Sequence, residues 1–158
     1  MLEGLLSEDN CKKCKLCCHF EEDELIDAPT FTNEEKRYII NNIDGNIMFN
    51  AINKVYQIVL EKEGKLYRCP LLRNDGCVLK DKRPFDCKSW PLYIMREDDK
   101  YYITVSKDCP ILKEIETSKL VEYIEKEFLF IAKQIIKDTP DMITEYNRNL
   151  EILYKITE

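Results

Sequence analysis

The 158-residue sequence predicts a small α+β protein with a loop-rich core, short antiparallel hairpins, one helix in the N-terminal half and a C-terminal αα-hairpin. Eight cysteines lie before residue 110, several of them in proline-containing stretches that disfavour long regular elements. Metal ligation is the physical substitute for an apolar core in such a region. Beyond Ser118 apolar residues recur at helical spacing instead. We expect a single domain over 1–158, with a metal-binding core over 7–112 and a helical hairpin over 117–157.

The first predicted element is a helix from about 33 to 43. Thr32 precedes it as an N-cap, and Glu35 three residues later completes a capping box. In that motif each side chain binds the backbone N–H of the other residue. Gly45 ends the helical pattern.

Two antiparallel hairpins are predicted in the middle of the chain. Residues 55–60 are rich in β-branched and aromatic side chains, Gly64 supplies a turn, and 65–69 returns as the second strand. Residues 92–95 and 101–106 flank the polar stretch REDDK and predict the other hairpin.

The C-terminal segment carries the helical periodicity. Apolar residues at three- and four-residue spacing predict an amphipathic helix, namely Leu120, Ile124, Phe128, Ile131 and Ile135. Thr139 and Pro140 then resemble an N-cap followed by proline at the first helical position. This predicts a second helix, with its stripe formed by Met142, Tyr146, Leu150, Leu153 and Tyr154.

Composition and charge exclude several classes of function. The net charge of −6, with acidic and basic residues interleaved, disfavours a nucleic-acid partner, and the basic stretch LKDKRP is interpreted as a solvated turn. No apolar run reaches the roughly 18 residues that span a bilayer, and the acidic N-terminus is unlike a secretory signal, so we expect a cytoplasmic protein without a membrane partner. The sequence contains no phosphate-binding loop, dinucleotide fingerprint or Ser-His-Asp set.

All eight cysteines are predicted to be metal ligands, because a reducing compartment removes the disulfide explanation for them. Two residues between cysteines let both sulfurs face one metal centre, and two consecutive gaps of this kind, as in CKKCKLCC, are typical of a 4Fe-4S site. Thiolates favour Fe, Zn or Cu(I) over Mg or Ca. The predicted ligands are Cys11, Cys14, Cys17, Cys18, Cys69, Cys77, Cys87 and Cys109.

The cysteines form a dense N-terminal group and a dispersed second group. We expect members of the two groups, such as Cys14 and Cys87, to converge and to fasten the N-terminal loop to the hairpin region. Eight thiolates are enough for two zinc sites, two cubane clusters, one cluster plus one zinc, or one site with spare cysteines. The spacing does not choose among these arrangements or among the ligand pairings.

Three other side chains are candidates for the surroundings of the metal. His19, the sole histidine, is adjacent to Cys18 and is either a fourth ligand, a group that tunes a sulfur, or an exposed neighbour. Arg83 either donates to a cluster sulfur, binds an anion, or stabilises the turn at the following proline. Trp90 either shields a cluster from water or packs in the core.

These motifs resemble the YkgJ-type cysteine-cluster family, described as zinc- or iron-chelating proteins. The resemblance covers residues 11 to 110, and it implies metal binding more directly than it implies a reaction. A similar cysteine cluster occurs in the flagellin lysine N-methylase group, where the resemblance implies an iron-sulfur cluster and methyl transfer from S-adenosylmethionine. The matching positions are Cys11, Cys14, Cys17, Cys18, Cys69, Cys77, Arg83, Pro84, Cys87 and Pro91.

Three functions follow as hypotheses. The leading one is an iron-sulfur protein with a redox, electron-transfer or cluster-assisted role. The alternative is a zinc-stabilised structural module that presents its helical hairpin or a loop to a protein partner. The third is a cluster-dependent enzyme related to lysine N-methylases, with Cys17 as a free thiol activated by Arg83, Lys88 or His19. The sequence leaves open whether the protein is an enzyme.

Overall fold

A computed structural model describes Leu2 and residues 14–157. Its residues group into two compact units, Met1–Lys88 and Ser89–Glu158. Helices and antiparallel sheets occur together, which confirms the predicted α+β class. Within the described residues, every helix is too short or too polar to cross a lipid bilayer.

The predicted N-terminal helix is confirmed as α1 (Asn33–Asn42). The Glu35 N–H donates to Thr32 Oγ1 at 3.2 Å, and the Thr32 N–H donates to Glu35 Oε2 at 2.8 Å. This reciprocal bonding satisfies two backbone donors that a helix start otherwise leaves unpaired. Ile39 anchors the helix in the core of its unit, where its side chain is buried.

The unit Met1–Lys88 contains three small antiparallel sheets. One has the order β2 (Thr30–Phe31), β4 (Val55–Ile58), β3 (Phe49–Ile52). The next has the order β1 (His19–Phe20), β6 (Leu66–Arg68), β5 (Glu61–Glu63). The third is the hairpin of β7 (Leu72–Arg73) and β8 (Gly76–Cys77). One core cluster joins them, formed by Phe31, Ile39, Ile58, Cys69, Leu71 and Leu79.

The predicted pairing of residues 55–60 with 65–69 is wrong. β4 pairs with β3, and β6 pairs with β5. Asn53 supplies a left-handed turn residue at φ 51° between β3 and β4, a conformation that asparagine tolerates better than most residues. The turn at Gly64 is confirmed, but it joins β6 to the strand just before it. β3 with β4 and β5 with β6 therefore form two hairpins of consecutive strands.

Short helices connect these strands. In the part of the unit that the structure describes, three are 3-10 helices, Leu16–Cys18, Glu22–Asp27 and Lys80–Lys82. The fourth is α2 (Phe85–Ser89), which carries Cys87 and reaches the boundary between the two units.

The unit Ser89–Glu158 is built on a four-stranded sheet. The second predicted hairpin is confirmed as β9 (Leu92–Glu97) and β10 (Lys100–Val105). β11 (Thr144–Glu145) pairs in parallel with β9, and β12 (Glu151–Ile156) pairs antiparallel with β10.

The predicted helix after Ser118 is also confirmed. It consists of α3 (Thr117–Tyr123), a π-helical stretch (Ile124–Phe128) and α4 (Leu129–Asp138), which follow one another as a pair of helices in one continuous run. Its buried stripe has four-residue spacing, as expected for one face of a helix, and comprises Leu120, Ile124, Phe128 and Ala132.

The predicted second helix of a C-terminal αα-hairpin is wrong. Pro140–Met142 forms a single 3-10 turn, and the chain then extends into β11 and β12. The sheet decides this outcome, because β12 satisfies backbone groups along the open edge of β10 that a helix would leave unpaired. Tyr154 belonged to the predicted helical stripe, and tyrosine is a residue type that also suits a strand.

Candidate metal centre

The short ladder between β1 and β6 brings the two groups of cysteines together. His19 pairs with Arg68, and this places Cys18 and Cys69 at the same end of the ladder. The Cys69 N–H donates to the Cys18 carbonyl oxygen at 2.9 Å. Residues that lie 51 positions apart in the sequence are thus adjacent through backbone pairing alone.

The loop before β1 is held in place by Lys15. This residue has a left-handed backbone at φ 53°, and its carbonyl oxygen accepts the Cys18 N–H at 3.0 Å. His19 Nδ1 lies 3.1 Å from the same oxygen, so this ring nitrogen carries a proton and donates it. Lys15 Nζ donates to the Asn74 carbonyl oxygen at 2.7 Å. The loop is therefore fastened to the turn between β7 and β8.

That turn positions Cys77. Leu72 faces Cys77 across the hairpin, and the Leu72 N–H donates to the Cys69 carbonyl oxygen at 3.0 Å. Gly76 enters the second strand with φ 115°, a backbone conformation that side chains with a Cβ rarely adopt. The hairpin therefore returns Cys77 toward Cys69.

Backbone amides surround the sulfurs of both of these cysteines. The Leu71 N–H donates to the Cys69 sulfur. In the same way the Leu79 and Lys80 N–H groups donate to the Cys77 sulfur. A donor two residues after a cysteine stabilises negative charge on its sulfur, which is the state that binds metal.

Cys87 is positioned by its neighbour Asp86. The Thr30 backbone N–H donates to Asp86 Oδ2 at 2.9 Å, and the Thr30 hydroxyl donates to the same oxygen. The Lys88 N–H donates to the Pro84 carbonyl oxygen at 3.1 Å, which closes the first turn of α2. Cys87 is thereby fixed relative to β2.

A cavity of about 930 Å³ lies where these segments meet. Both cysteine groups contribute to its wall, but the predicted example of convergence, Cys14 with Cys87, is not found there. Cys14 is half-buried and does not line this cavity, and Cys11 lies outside the described residues. Five cysteines line the cavity, namely Cys17, Cys18, Cys69, Cys77 and Cys87.

The thiols of this group affect one another. A hydrogen bond from the Cys18 thiol lowers the pKa of Cys17 to about 7, although burial opposes the shift, and the Arg83 charge lowers it further. The Cys18 thiol donates that bond, and the bond together with burial raises the pKa of Cys18 far above its usual value. Several thiolates can therefore coexist in this cavity only beside a cation.

Burial has the largest effect on the other three thiols. It raises the pKa of Cys69 to about 12. Burial also raises the pKa of Cys77, and it raises that of Cys87 strongly, with Cys69, Cys17 and Cys77 adding to the shift of Cys87. The sulfurs are thus mutual electrostatic neighbours.

Arg83 is the predicted basic residue that reaches the thiols. Its Nε–H donates to the Lys80 carbonyl oxygen at 2.7 Å, which closes the preceding 3-10 helix. Its charge lowers the pKa values of Cys17 and Cys77. The bond to Lys80 gives Arg83 the turn-stabilising role that the sequence presented as one alternative, and its charge also acts on two thiols of the cavity.

The remaining predicted residues lie elsewhere. His19 does not line the cavity, and its Nε2 lies 3.9 Å from Glu63 Oε2. Lys88 is exposed and also does not line it. Cys109 and Trp90 belong to the unit Ser89–Glu158, where Cys109 is buried.

The sequence interpretation missed three cationic side chains of the cavity wall, Lys15, Arg73 and Lys80. The stretch LKDKRP, interpreted as a solvated turn, supplies Lys80 and Arg83 to this wall. The position of two of these residues in the sequence could have identified them. Lys15 lies between Cys14 and Cys17, and Arg73 lies between Cys69 and Cys77. A side chain that lies between two cysteines predicted to be ligands is expected near the same cavity.

The five cysteines line the same cavity, but their sulfurs are not arranged around a single metal position. Among Leu2 and residues 14–157, no three or more His, Cys, Asp or Glu side chains are arranged so that they could hold a single metal ion. No family model matches the sequence, and no curated protein or solved structure matches it either. The resemblance to the YkgJ-type family stays a prediction.

Proposed function

We propose that the protein binds an iron-sulfur cluster through Cys17, Cys69, Cys77 and Cys87, and that the cluster has a redox, electron-transfer or cluster-assisted role. The observation that carries this proposal is the convergence of five cysteines, from four separate places in the sequence, on one cavity. Four thiolates are the usual ligand set of a cubane cluster. Cys18 is the fifth thiol, because its S–H donates a hydrogen bond to the Cys17 sulfur and this bond raises the pKa of Cys18, which favours the protonated form.

The charges around the cavity suit a metal centre held by four thiolates. Such a centre, as a cubane or as zinc, has a formal charge of about −2. The cavity wall carries two more cationic than carboxylate side chains. The protein therefore supplies the compensating charge that a buried anionic centre requires. The contributing side chains are Lys15, Arg73, Lys80 and Arg83, against Asp75 and Asp81.

The spread of the sulfurs favours a cluster over a single ion. Zinc holds each sulfur at about 2.3 Å, so its four ligands crowd around one point. A cubane presents four separate iron atoms and accepts sulfurs that are further apart. In the described residues the sulfurs line a common cavity and are not arranged around one point. This arrangement suits a cubane better than a single zinc ion.

A zinc-stabilised structural or protein-interaction module is the second candidate. The amide donors two residues after Cys69 and Cys77 favour it, because such tight cysteine loops also hold structural zinc. Under either proposal we place the protein in the cytoplasm, where free thiols stay reduced. The net charge of −6 also disfavours a nucleic-acid partner.

Metal and sulfide analysis of protein purified without oxygen tests the proposal. We expect about four iron atoms and about four acid-labile sulfides per chain, with broad visible absorption. Cys69→Ser and Cys87→Ser should each lose most of the iron. Cys14→Ser is the matched control and should retain it, because Cys14 does not line the cavity. A colourless protein with stoichiometric zinc and no sulfide would overturn the cluster in favour of the second candidate.

A further inference from the structure

We propose that the same cavity binds a small amphipathic organic anion, a carboxylate on an apolar body, and that Arg83 binds its charged group. The inference rests on the proposed function in one respect, which is that it places the ligand beside the cluster. It adds a ligand class and a recognition residue to a site otherwise described only by its metal.

The size of the cavity is the first observation. Pockets for small organic ligands have volumes of about 300–1,000 Å³. The cavity of about 930 Å³ lies at the upper end of that range. A cavity of this volume would accommodate a small organic molecule beside a metal centre bound by the cysteines.

The apolar part of the wall is the second observation. Phe31, Leu71 and Leu79 line the cavity and belong to the core cluster, so this part of the wall is apolar. The prolines Pro29 and Pro84 extend it. An apolar surface with a few charged groups is the usual composition of a small-molecule site.

The donors of Arg83 are the third observation. Its Nε–H is used by the Lys80 carbonyl oxygen, which fixes the plane of the guanidinium. None of the ion pairs among the described residues involves Arg83. The terminal nitrogens of such a guanidinium match the two oxygens of a carboxylate.

The neighbouring cations Arg73 and Lys15 donate hydrogen bonds to backbone carbonyl oxygens of the protein. The Arg73 Nη1 group donates to the Leu72 carbonyl oxygen at 3.3 Å, and its Nη2 group donates to the Asp44 carbonyl oxygen at 3.4 Å. Lys15 Nζ binds the Asn74 carbonyl oxygen. Of these three cations, Arg83 is the one whose charge acts on the thiols of Cys17 and Cys77.

The charge balance permits a monoanion. The surplus cations of the wall offset a tetrathiolate centre, so an entering carboxylate meets little net repulsion. Its position is then decided by local hydrogen bonds, and Arg83 supplies them. A neutral molecule of the same shape lacks this interaction.

Equilibrium dialysis with 2-naphthoate, and with the neutral 2-naphthamide of nearly equal shape, tests the inference on anaerobically purified protein. We expect 2-naphthoate to bind about tenfold or more tightly than 2-naphthamide, as one charge-assisted hydrogen bond implies. Arg83→Gln should remove this preference and leave 2-naphthamide binding unchanged. Arg83→Lys should retain part of it. Arg37→Gln, an exposed arginine of α1 that does not line the cavity, should have no effect.

Equal affinity for the two compounds, absence of saturable binding, or an equal loss in Arg37→Gln would overturn the inference. Iron and sulfide measured on the same samples separate this result from the proposed function. Cluster-containing protein without an anion preference refutes the anion site alone. Zinc-containing protein that keeps an Arg83-dependent preference refutes the cluster alone.

Discussion

At the scale of single residues, the adjacent pair Cys17 and Cys18 shows how one hydrogen bond makes two neighbouring thiols chemically different. The Cys18 thiol donates to the Cys17 sulfur, so the pKa of Cys17 falls to about 7 while that of Cys18 rises. The sequence motif CKKCKLCC does not distinguish these two positions. The distinction arises from loop geometry and from Arg83, which comes from a remote segment.

This difference predicts selective alkylation of Cys17 in reduced, metal-free protein. Iodoacetamide reacts with thiolates, so Cys17 should be labelled first at pH 7.5, and its rate should fall as the pH drops below about 7 and the thiolate is protonated. Cys18→Ala removes the donor and should raise the pKa of Cys17, which slows labelling at pH 7.5. Mass spectrometry of peptides measures the rate at each site.

Cys14→Ala is the control for this experiment and should leave the rate at Cys17 unchanged. Preferential labelling of Cys69 would contradict the proposed ionisation, because burial raises the pKa of Cys69 to about 12.

At the scale of elements, structure that depends on local sequence signals was predictable, whereas the pairing of strands was not. The capping box of Thr32 and Glu35 correctly identifies α1, because its hydrogen bonds are made within four residues. The strand β12 was predicted as helix, because its apolar residues suit either period and only the edge of β10 decides between them. The cysteine cavity has the same character. The residue types of its wall were predictable. Which cysteines of the N-terminal motif line the cavity depends on how the loop is placed by the pairing of β1 with β6, and the structure places Cys17 there and not Cys14.

The β7–β8 hairpin provides a prediction at this scale. Gly76→Ala places a Cβ on a backbone with φ 115° and should cost about 1–3 kcal/mol in the free energy of unfolding. It should also reduce the metal content, because the turn aims Cys77 at the cavity. Urea unfolding and metal analysis measure the two effects.

Gly45→Ala is the matched control, since Gly45 has φ 126° and lies in no cysteine loop. It should lose comparable stability and keep its metal. Equal metal loss in both variants would show that general destabilisation, and not the position of Cys77, is responsible.

At the scale of the whole molecule, the cysteines of the cavity all belong to the unit Met1–Lys88. The unit Ser89–Glu158 has its own buried apolar residues, among them Leu92 and Ile103 in the β9–β10 hairpin. Structural metal contributes on the order of 10 kcal/mol to folding where the apolar core is small. The two units should therefore respond differently to metal removal.

Hydrogen exchange measures that response. Removing the metal with a chelator under reducing conditions should lower amide protection in β1, β6, β7 and β8 by at least an order of magnitude. Protection in β9, β10 and β12 should change little. A uniform loss of protection across both units would contradict the assignment of metal-dependent stability to Met1–Lys88.

The β1–β6 ladder has a consequence for the order of events during protein synthesis. It joins a segment beginning at His19 to one ending at Arg68, and the proposed ligand set is complete only when Cys87 has been made. The ribosome adds about 5–20 residues per second, so the 70 positions between Cys17 and Cys87 take about 4–14 s. During this interval the first thiols are in the nascent chain without their partners. Under the proposed function, cluster insertion would follow translation of this region, and the early thiols would need a reducing environment until then.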